Sequence, residues 1–177
     1  FQIITVTGAI EAGIGKMAKR LYGKERLMIP IFMLIFALGG ATFGMSEEVI
    51  IFVPIGVALA RALGFDAMTG TAMIALGAAC GFNSGFMNPF TVGVAQEIAE
   101  LPLFSGVLMR VIIFFVLLII STLYISRYAI KVKNNPEASI VYDLEQREKD
   151  QKIDLNNMIE MTTRHSLILL TVLVSFA

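Results

Sequence analysis

Two clusters of polar residues interrupt the apolar sequence, and their residue types could bind ions or a small charged molecule. The first cluster is Ser46, Glu47 and Glu48, and its glutamates are the only ionisable residues in 27–60. Carboxylates at membrane depth are costly unless they bind a cation, a proton or a basic group of a substrate. The structural alternative is a helix start on a surface loop, with Ser46 as the N-cap residue and two acids in the first turn.

The second cluster covers residues 81–91 and contains no ionisable residue. Asn88 followed by Pro89 predicts a helix start, with Asn88 as the N-cap residue and Pro89 at the first helical position. The backbone N–H groups of that helix start could bind a carboxylate. Loop carbonyls and four side chains could supply oxygen ligands for sodium. These side chains are Asn83, Ser84, Asn88 and Thr91. The alternative is a capped loop at the membrane surface.

The composition is that of an all-α membrane protein. Of the 177 residues, 56% are hydrophobic and 16% are charged, whereas soluble domains carry about 25% charged residues. The net charge is zero, which argues against a nucleic-acid partner. One histidine and one cysteine leave no cluster for a catalytic metal. We therefore expect a lipid bilayer and a small-molecule substrate as partners, no metal site, and no cofactor beyond a coupling ion.

Four apolar stretches predict a polytopic helical bundle with discontinuous helices. They are residues 27–44, 49–63, 67–82 and 102–126. Basic clusters at 16–26 and 127–133 mark cytoplasmic ends by the positive-inside rule. If 27–63 forms two crossings, both basic clusters lie on one side, whereas one broken crossing places them on opposite sides. Charge favours two crossings, but 49–63 is short for a span of roughly 20 residues, so both alternatives stay open.

The pattern predicts three regions. These are a transmembrane transport region at 1–133, a polar aqueous loop with a short amphipathic helix at 134–164, and the start of another transmembrane helix at 165–177. Residues 1–14 are apolar but short, as in the end of a span or one arm of a re-entrant hairpin. We expect the chain to be an internal piece of a longer multi-pass protein, because it lacks a starting methionine and ends within an apolar run.

Two further features concern helix packing and charge. Gly77, Gly81 and Gly85 recur every four residues, a spacing that lets membrane helices approach closely. Arg110 lies inside the apolar stretch 102–126. We expect its side chain to extend to the membrane interface, or alternatively to act as the counter-ion of a buried glutamate.

Several strings resemble the anaerobic dicarboxylate carrier family of bacteria, in particular its branch of basic amino-acid antiporters. The specific ones are Gly-Met-Ser-Glu-Glu at 44–48 and Asn-Pro-Phe-Thr-Val-Gly at 88–93, and the resemblance extends over 7–143. It implies an elevator-type secondary transporter of the bacterial inner membrane, built from inverted repeats, of which this chain is most of the first, with a re-entrant hairpin. The full-length protein is expected to be a homodimer.

In the better understood relatives of that family, sodium lies between a Ser-Asn-Thr loop and the glycine-rich loop of the next helix. Here Glu47 and Glu48 stand in place of Asn-Thr, which favours proton coupling or a cationic substrate. The predicted site consists of residues from both clusters. They are Ser46, Glu47, Glu48, Gly81, Asn83, Ser84, Asn88, Pro89 and Thr91.

The substrate prediction follows from electrostatics. A basic amino acid could place its carboxylate at the Pro89 helix start and its cationic group near Glu47 or Glu48, whereas the same glutamates would repel a dicarboxylate. We predict ion-coupled transport or exchange of a basic amino acid. A sodium-coupled dicarboxylate carrier is the alternative, and an ion channel is less favoured. An enzyme is not expected, because Ser84 has only the single histidine, His165, as a possible catalytic base and nothing to orient it.

Overall fold

The computed structural model describes residues 24–147 and the isolated positions 16, 162, 163, 167 and 171. This part of the chain is helical and contains no strand, as predicted for a helical membrane protein. The hairpin arm predicted at 1–14 lies outside the described residues. The same is true of most of the transmembrane helix predicted at 165–177.

Six helices follow one another along the range 24–147. They are α1 (Met28–Thr42, after a 3₁₀ turn Glu25–Leu27), α2 (Val49–Ala62), α3 (Ala67–Ser84), α4 (Val94–Ile98, entered through a π-helical turn Pro89–Gly93), α5 (Val107–Asn134) and α6 (Tyr142–Arg147, after a 3₁₀ turn Pro136–Ala138). The first three longer helices lie close to the predicted apolar stretches.

The longest helix, α5, begins later and ends later than its apolar stretch predicts. Its start is delayed because the preceding turn contains left-handed backbone at Phe104 (φ 58) and Gly106 (φ +72). Its end extends through the basic residues because Lys131 and Lys133 lie in the last turn, where cations interact favourably with the helix dipole.

The helices alternate in direction, and the contacts of Lys133 demonstrate this. Lys133 Nζ lies 3.7 Å from the Glu25 carboxylate and donates to the Leu63 carbonyl at 3.2 Å. Because Glu25 precedes α1 and Leu63 follows α2, these two helices run in opposite directions. The structure therefore matches the alternative of two separate helices within 27–63, with Lys24 and Arg26 of the first basic cluster at the same end of the bundle as Lys133 of the second. We call this the basic end.

The central helix is α3, which packs against α1, α2 and α5. Two helix crossings are close enough that glycine is required. A Cβ at Gly81 would overlap the Ala37 carbonyl group, and one at Gly70 would come within 2.6 Å of the Gly56 carbonyl oxygen. The prediction of close packing from the glycine spacing holds for Gly77 and Gly81, whereas Gly85 ends α3 in the left-handed region (φ 47).

Two helical segments of the described range are long and apolar enough to cross a membrane. They are Glu25–Thr42, with a mean hydropathy of 1.5, and Val107–Asn134, in which an 18-residue stretch has a mean hydropathy of 2.6. The most apolar part of the second is only 17% buried. An exposed apolar surface of this kind suits contact with lipid, whereas the core helix of a soluble protein is mostly buried.

Candidate functional site

The second polar cluster contacts the last turn of α1 and Gly44, which lies two residues before Ser46 of the first cluster. We call residues 43–48, between α1 and α2, the first break, and residues 85–93, between α3 and α4, the second break. Met87 N–H donates to the Ala41 carbonyl at 3.1 Å, and Asn88 Nδ2 donates to the Gly40 carbonyl at 3.4 Å. Gly44 adopts φ +70, and a Cβ there would lie 2.9 Å from Asn88 Oδ1. The breaks therefore form one polar junction, at the opposite end from the basic end.

The second break has the predicted helix start. Asn88 is the N-cap residue, and Pro89 occupies the first helical position. Asn88 Oδ1 accepts from the N–H groups of Phe90 at 2.9 Å and Thr91 at 3.2 Å. The turn is π-helical, because Gly93 N–H reaches back to the Asn88 carbonyl at 3.1 Å. Two N–H groups that could bind a carboxylate are thus already satisfied by Asn88.

The other predicted ligands of the second break lie in different environments. Gly81 is buried against α1. Ser84 is also buried, and its hydroxyl donates to the Gly81 carbonyl at 2.8 Å. Asn83 and Pro89 are exposed. Thr91 Oγ1 is buried and has no hydrogen-bond partner among the described residues. Of the four side chains predicted as ion ligands, Thr91 therefore has the buried oxygen that is left unsatisfied.

The first break presents its polar side chains outward. Ser46, Glu47 and Glu48 are all exposed, and Ser46 N–H donates to Glu48 Oε2 at 3.2 Å. Ser46 is not the N-cap residue, because α2 begins at Val49 and its cap position is Glu48. The glutamates precede the helix instead of occupying its first turn. Within 24–147, no cationic side chain forms an ion pair with either glutamate.

The second break lies alongside α5, closer to the basic end than the first residue of that helix. The ring of Phe86 packs edge-on against Phe114, with the ring centroids 5.4 Å apart. Phe114 is two turns after Val107, which is about 10 Å along the helix axis. Further toward the basic end, Cys80 Sγ contacts Ser121 Oγ at 3.3 Å. The long helix therefore extends past the second break on both sides.

A further group of polar residues, Gln96, Ser105 and Arg110, lies near this break and was not predicted as a group. Gln96 of α4 is buried, and its Nε2 donates to the Ser105 carbonyl at 2.9 Å and to Ser105 Oγ at 3.0 Å. Arg110 Nη2 donates to the same Ser105 carbonyl, while Arg110 Nη1 is buried without a hydrogen-bond partner in the described part of the chain. Arg110 therefore folds back onto the turn before α5. The signal in the sequence was a lone arginine inside an apolar stretch.

The basic end contains another polar group, centred on Asp66. Its carboxylate accepts from Thr69 N–H at 2.9 Å and from three hydroxyls at 2.6 Å, those of Thr69, Tyr128 and Ser139. Burial raises the pKa of Asp66, but these hydrogen bonds outweigh burial and hold the pKa below its ordinary value. An open cleft of about 520 Å³ lies beside Asp66, far from the two breaks. No metal-binding group of three or more His, Cys, Asp or Glu occurs in the described ranges.

Comparison with known proteins identifies the family. The model of the DcuC family, the C4-dicarboxylate anaerobic carriers, matches residues 1–177. The chain belongs to the C4-dicarboxylate anaerobic carrier family. This membership confirms the resemblance found in the sequence, and the described helices are those expected of a helical membrane protein.

Two relatives are considerably longer than the chain. It is 36% identical over 155 residues, 88% of this chain and 31% of the relative, to "Putative basic amino acid antiporter YfcC" of Escherichia coli (strain K12). It is 32% identical over 177 residues, 98% of this chain and 35% of the relative, to an uncharacterised protein of Haemophilus influenzae. The chain thus spans about a third of the length of these relatives. No solved structure matches it.

Proposed function

We propose that the chain forms part of the substrate pathway of a secondary transporter for a basic amino acid, in the bacterial inner membrane. The observation that carries this proposal is the junction of the two breaks, where Asn88 bonds to Gly40 and packs on Gly44. Carriers build substrate and ion sites near mid-membrane from interrupted helices. The end of α1 and the helix start of the second break, which share the buried amide of Asn88, fit such a site.

The depth of the junction along α5 supports a role in transport. Phe114, which contacts Phe86 of the second break, lies about 20 Å from Arg127 at the basic end and about 10 Å from Val107. A bilayer has a hydrocarbon core of about 30 Å. With α5 as a spanning helix, the second break would lie inside the hydrocarbon, where polar groups often mark functional sites.

The charge of the first break supports a cationic substrate. Glu47 and Glu48 are adjacent and exposed, and neither forms an ion pair with a described residue. Two carboxylates at short range attract a basic group and repel an anion. The name of the Escherichia coli relative, a basic amino acid antiporter, agrees with this preference. Substrate exchange or coupling to a proton or sodium would drive the transport.

A sodium-coupled dicarboxylate carrier is the second candidate, and the description of the family favours it. In that case cations would neutralise Glu47 and Glu48 before the dicarboxylate binds. Thr91 Oγ1, buried and unsatisfied, is then the side-chain oxygen of the second break best placed to bind sodium, together with backbone carbonyls of the break.

The resemblance supplies the larger architecture of the proposal. The chain would be most of the first inverted repeat of an elevator-type, multi-pass carrier that works as a homodimer. The remaining site residues would come from the second repeat. Ser46, Glu47 and Glu48 of the first break, with Asn83, Pro89 and Thr91 of the second, would face that repeat across the substrate. The other predicted site residues, Gly81, Ser84 and Asn88, are buried within this chain and would hold the breaks in place.

Ligand-induced stabilisation of the purified full-length protein tests this function. Lysine, arginine, succinate and fumarate are added in sodium and in potassium buffers, and the melting temperature is measured, since a ligand that binds the folded state raises it. We expect lysine or arginine to stabilise the wild type. Glu47→Gln and Glu48→Gln should weaken this effect without changing the melting temperature of the unliganded protein, because both side chains are exposed. Glu97→Gln, at another exposed position, is the matched control.

Each outcome decides between the candidates. Stabilisation by dicarboxylates alone, and only in sodium, would replace the amino acid by a dicarboxylate as the substrate. Unchanged lysine binding in both glutamate variants would place the cationic group of the substrate elsewhere. Ion flux through reconstituted vesicles without a saturable substrate would indicate a channel and overturn the proposal.

A further inference from the structure

Arg110 lies on the face of α5 that packs against the second break. It is one helical turn before Phe114, and residues four apart share one face of a helix. Phe114 contacts Phe86 of the second break. Arg110 is thus one turn further from the basic end than this contact, on the same side of α5.

The guanidinium of Arg110 is also held next to α4. The Ser105 carbonyl accepts from Arg110 Nη2 and from Gln96 Nε2. Gln96 belongs to the short helix that continues directly from the π-helical turn containing Thr91. The second break therefore adjoins Arg110 through α4 as well as through α5.

An unsatisfied cationic N–H group makes this arrangement unusual. Arg110 Nη1 and Thr91 Oγ1 are the two buried side-chain N or O atoms without a hydrogen-bond partner in the described part of the chain. No carboxylate of the described residues forms an ion pair with Arg110. Arginine keeps its charge in proteins, and a buried charge without a counter-charge is costly. An anionic group from outside the described residues would remove that cost.

We propose that Arg110 binds a carboxylate of the transported substrate, an inference that rests on the proposed function. The guanidinium fork matches a carboxylate in geometry and charge. Asn88 Oδ1 already accepts from the N–H groups of Phe90 and Thr91. The helix start therefore has fewer free N–H groups for a substrate carboxylate than the sequence predicts. The two ends of an amino acid are then recognised by different segments: the carboxylate by Arg110, and the cationic group by the first break.

Matched pairs of ligands test this assignment. Lysine and cadaverine differ by one carboxylate. Succinamate likewise has one carboxylate fewer than succinate, because an amide replaces it. Dissociation constants for all four are measured with the purified full-length protein, for the wild type, Arg110→Gln, Arg110→Lys and Arg127→Gln. Arg127 is an exposed arginine of the same helix and serves as the control.

We expect the wild type to bind lysine at least about tenfold more tightly than cadaverine, the effect of one charge-assisted hydrogen-bond pair. Arg110→Gln should lose most of this ratio by weakening lysine and leaving cadaverine unchanged, and Arg110→Lys should retain part of it. Arg127→Gln should keep the wild-type ratio. If succinate is the ligand instead, the same comparison applies to succinate and succinamate.

The outcomes separate this inference from the proposed function. A wild type that binds no amino acid and no dicarboxylate contradicts the proposed function. A wild type that prefers lysine, with the same preference in Arg110→Gln, overturns the role of Arg110 alone. If Arg110→Gln does not fold, the ratio in Arg110→Lys decides, because a wild-type ratio there excludes recognition by the guanidinium fork. Equal loss of lysine and cadaverine binding would show that Arg110 only stabilises the turn.

Discussion

Asn88 donates from its side-chain amide to the Gly40 carbonyl across 3.4 Å, and the two residues are 48 positions apart in the sequence. The oxygen of the same amide accepts from Phe90 and Thr91. Asn88 is fully buried, with 0% of its surface exposed. One side chain therefore satisfies backbone groups of α1 and of the second break, so the position of one helix end depends on the other.

Asn88→Ala should destabilise the protein and disturb the junction. It removes three hydrogen bonds and leaves the buried Gly40 carbonyl and two partly buried N–H groups, those of Phe90 and Thr91, without this partner. We expect a cost of about 1–3 kcal/mol in the free energy of unfolding. We expect a lower melting temperature in detergent and a higher dissociation constant for the substrate. Asn83→Ala is the control for stability, because Asn83 is exposed. Equal melting temperatures for Asn88→Ala and the wild type would show that the observed bonds do not hold the junction.

Gly81→Ala should separate α1 from α3. The added methyl group would overlap the Ala37 carbonyl and lie 2.8 Å from Ala41 N, and both groups are backbone that cannot turn aside. Overpacking of this kind costs about 1–3 kcal/mol or more. The matched control is Gly93→Ala, where the nearest atom, the Asn88 carbonyl oxygen, is 3.7 Å away.

Thermal unfolding of both glycine variants measures this prediction. Gly93→Ala should stay within about 0.5 kcal/mol of the wild type, while Gly81→Ala should unfold at a clearly lower temperature. A Gly81→Ala variant as stable as Gly93→Ala would mean that α1 and α3 can move apart without loss, contrary to the close crossing.

The parts of the site that depend on local chemistry could be predicted from the sequence. The cap at Asn88 and the position of Pro89 require only residues two or three positions away, and the structure confirms both. The structural alternative for the first cluster, with Ser46 as the N-cap residue, was wrong in its position. The Ser46 N–H group is bound by the Glu48 carboxylate, and the helix does not begin until Val49. Both Ser46 and Glu48 could precede the first turn of a helix, and the sequence alone does not distinguish the two starts.

Contacts between distant residues could not be predicted in this way. The direction of α2 relative to α1 became clear only from Lys133, which reaches Glu25 and Leu63. The inward orientation of Arg110 depends on Gln96 and Ser105 meeting in space. A single sequence gives the periodicity and the caps of each helix, but it does not say which side chains of different helices meet.

Thr91→Val should separate ion binding from stability. Thr91 Oγ1 is buried without a partner in the described part of the chain, so its removal leaves no other group unsatisfied. We expect an unchanged or slightly higher melting temperature without sodium. The apparent sodium constant should rise about fivefold, the equivalent of ~1 kcal/mol. Both are measured on the purified full-length protein.

The control for this variant is Thr122→Val. Thr122 lies in α5, and its hydroxyl contacts the sulfur of Met33 at 3.3 Å, so its loss should leave the sodium constant unchanged. A Thr91→Val protein with wild-type sodium dependence would remove Thr91 from the ion site. A protein whose binding never depends on sodium would favour proton coupling or exchange.

Acid should destabilise the protein in part through Asp66. Burial raises the pKa of this carboxyl, but hydrogen bonds from Ser139, Thr69 and Tyr128 outweigh burial, so the folded-state pKa lies below the ordinary value of 3.8. Below that ordinary value the unfolded chain binds more protons than the folded chain. The contribution of Asp66 to the free energy of unfolding is therefore complete above about pH 4, and it is lost as the pH falls through the folded-state pKa.

Asp66→Asn should remove this pH-dependent contribution. The variant keeps an acceptor oxygen but loses the charge, so its hydrogen bonds weaken and its free energy of unfolding at neutral pH should fall by about 1–3 kcal/mol. Its melting temperature should also decline less steeply between pH 5 and pH 3. Asp143→Asn, at an exposed position on α6, should keep the wild-type melting temperature and acid response. The contrary result would be an Asp66→Asn variant with the melting temperature and the acid response of the wild type. It would show that the four hydrogen bonds to Asp66 do not stabilise the basic end.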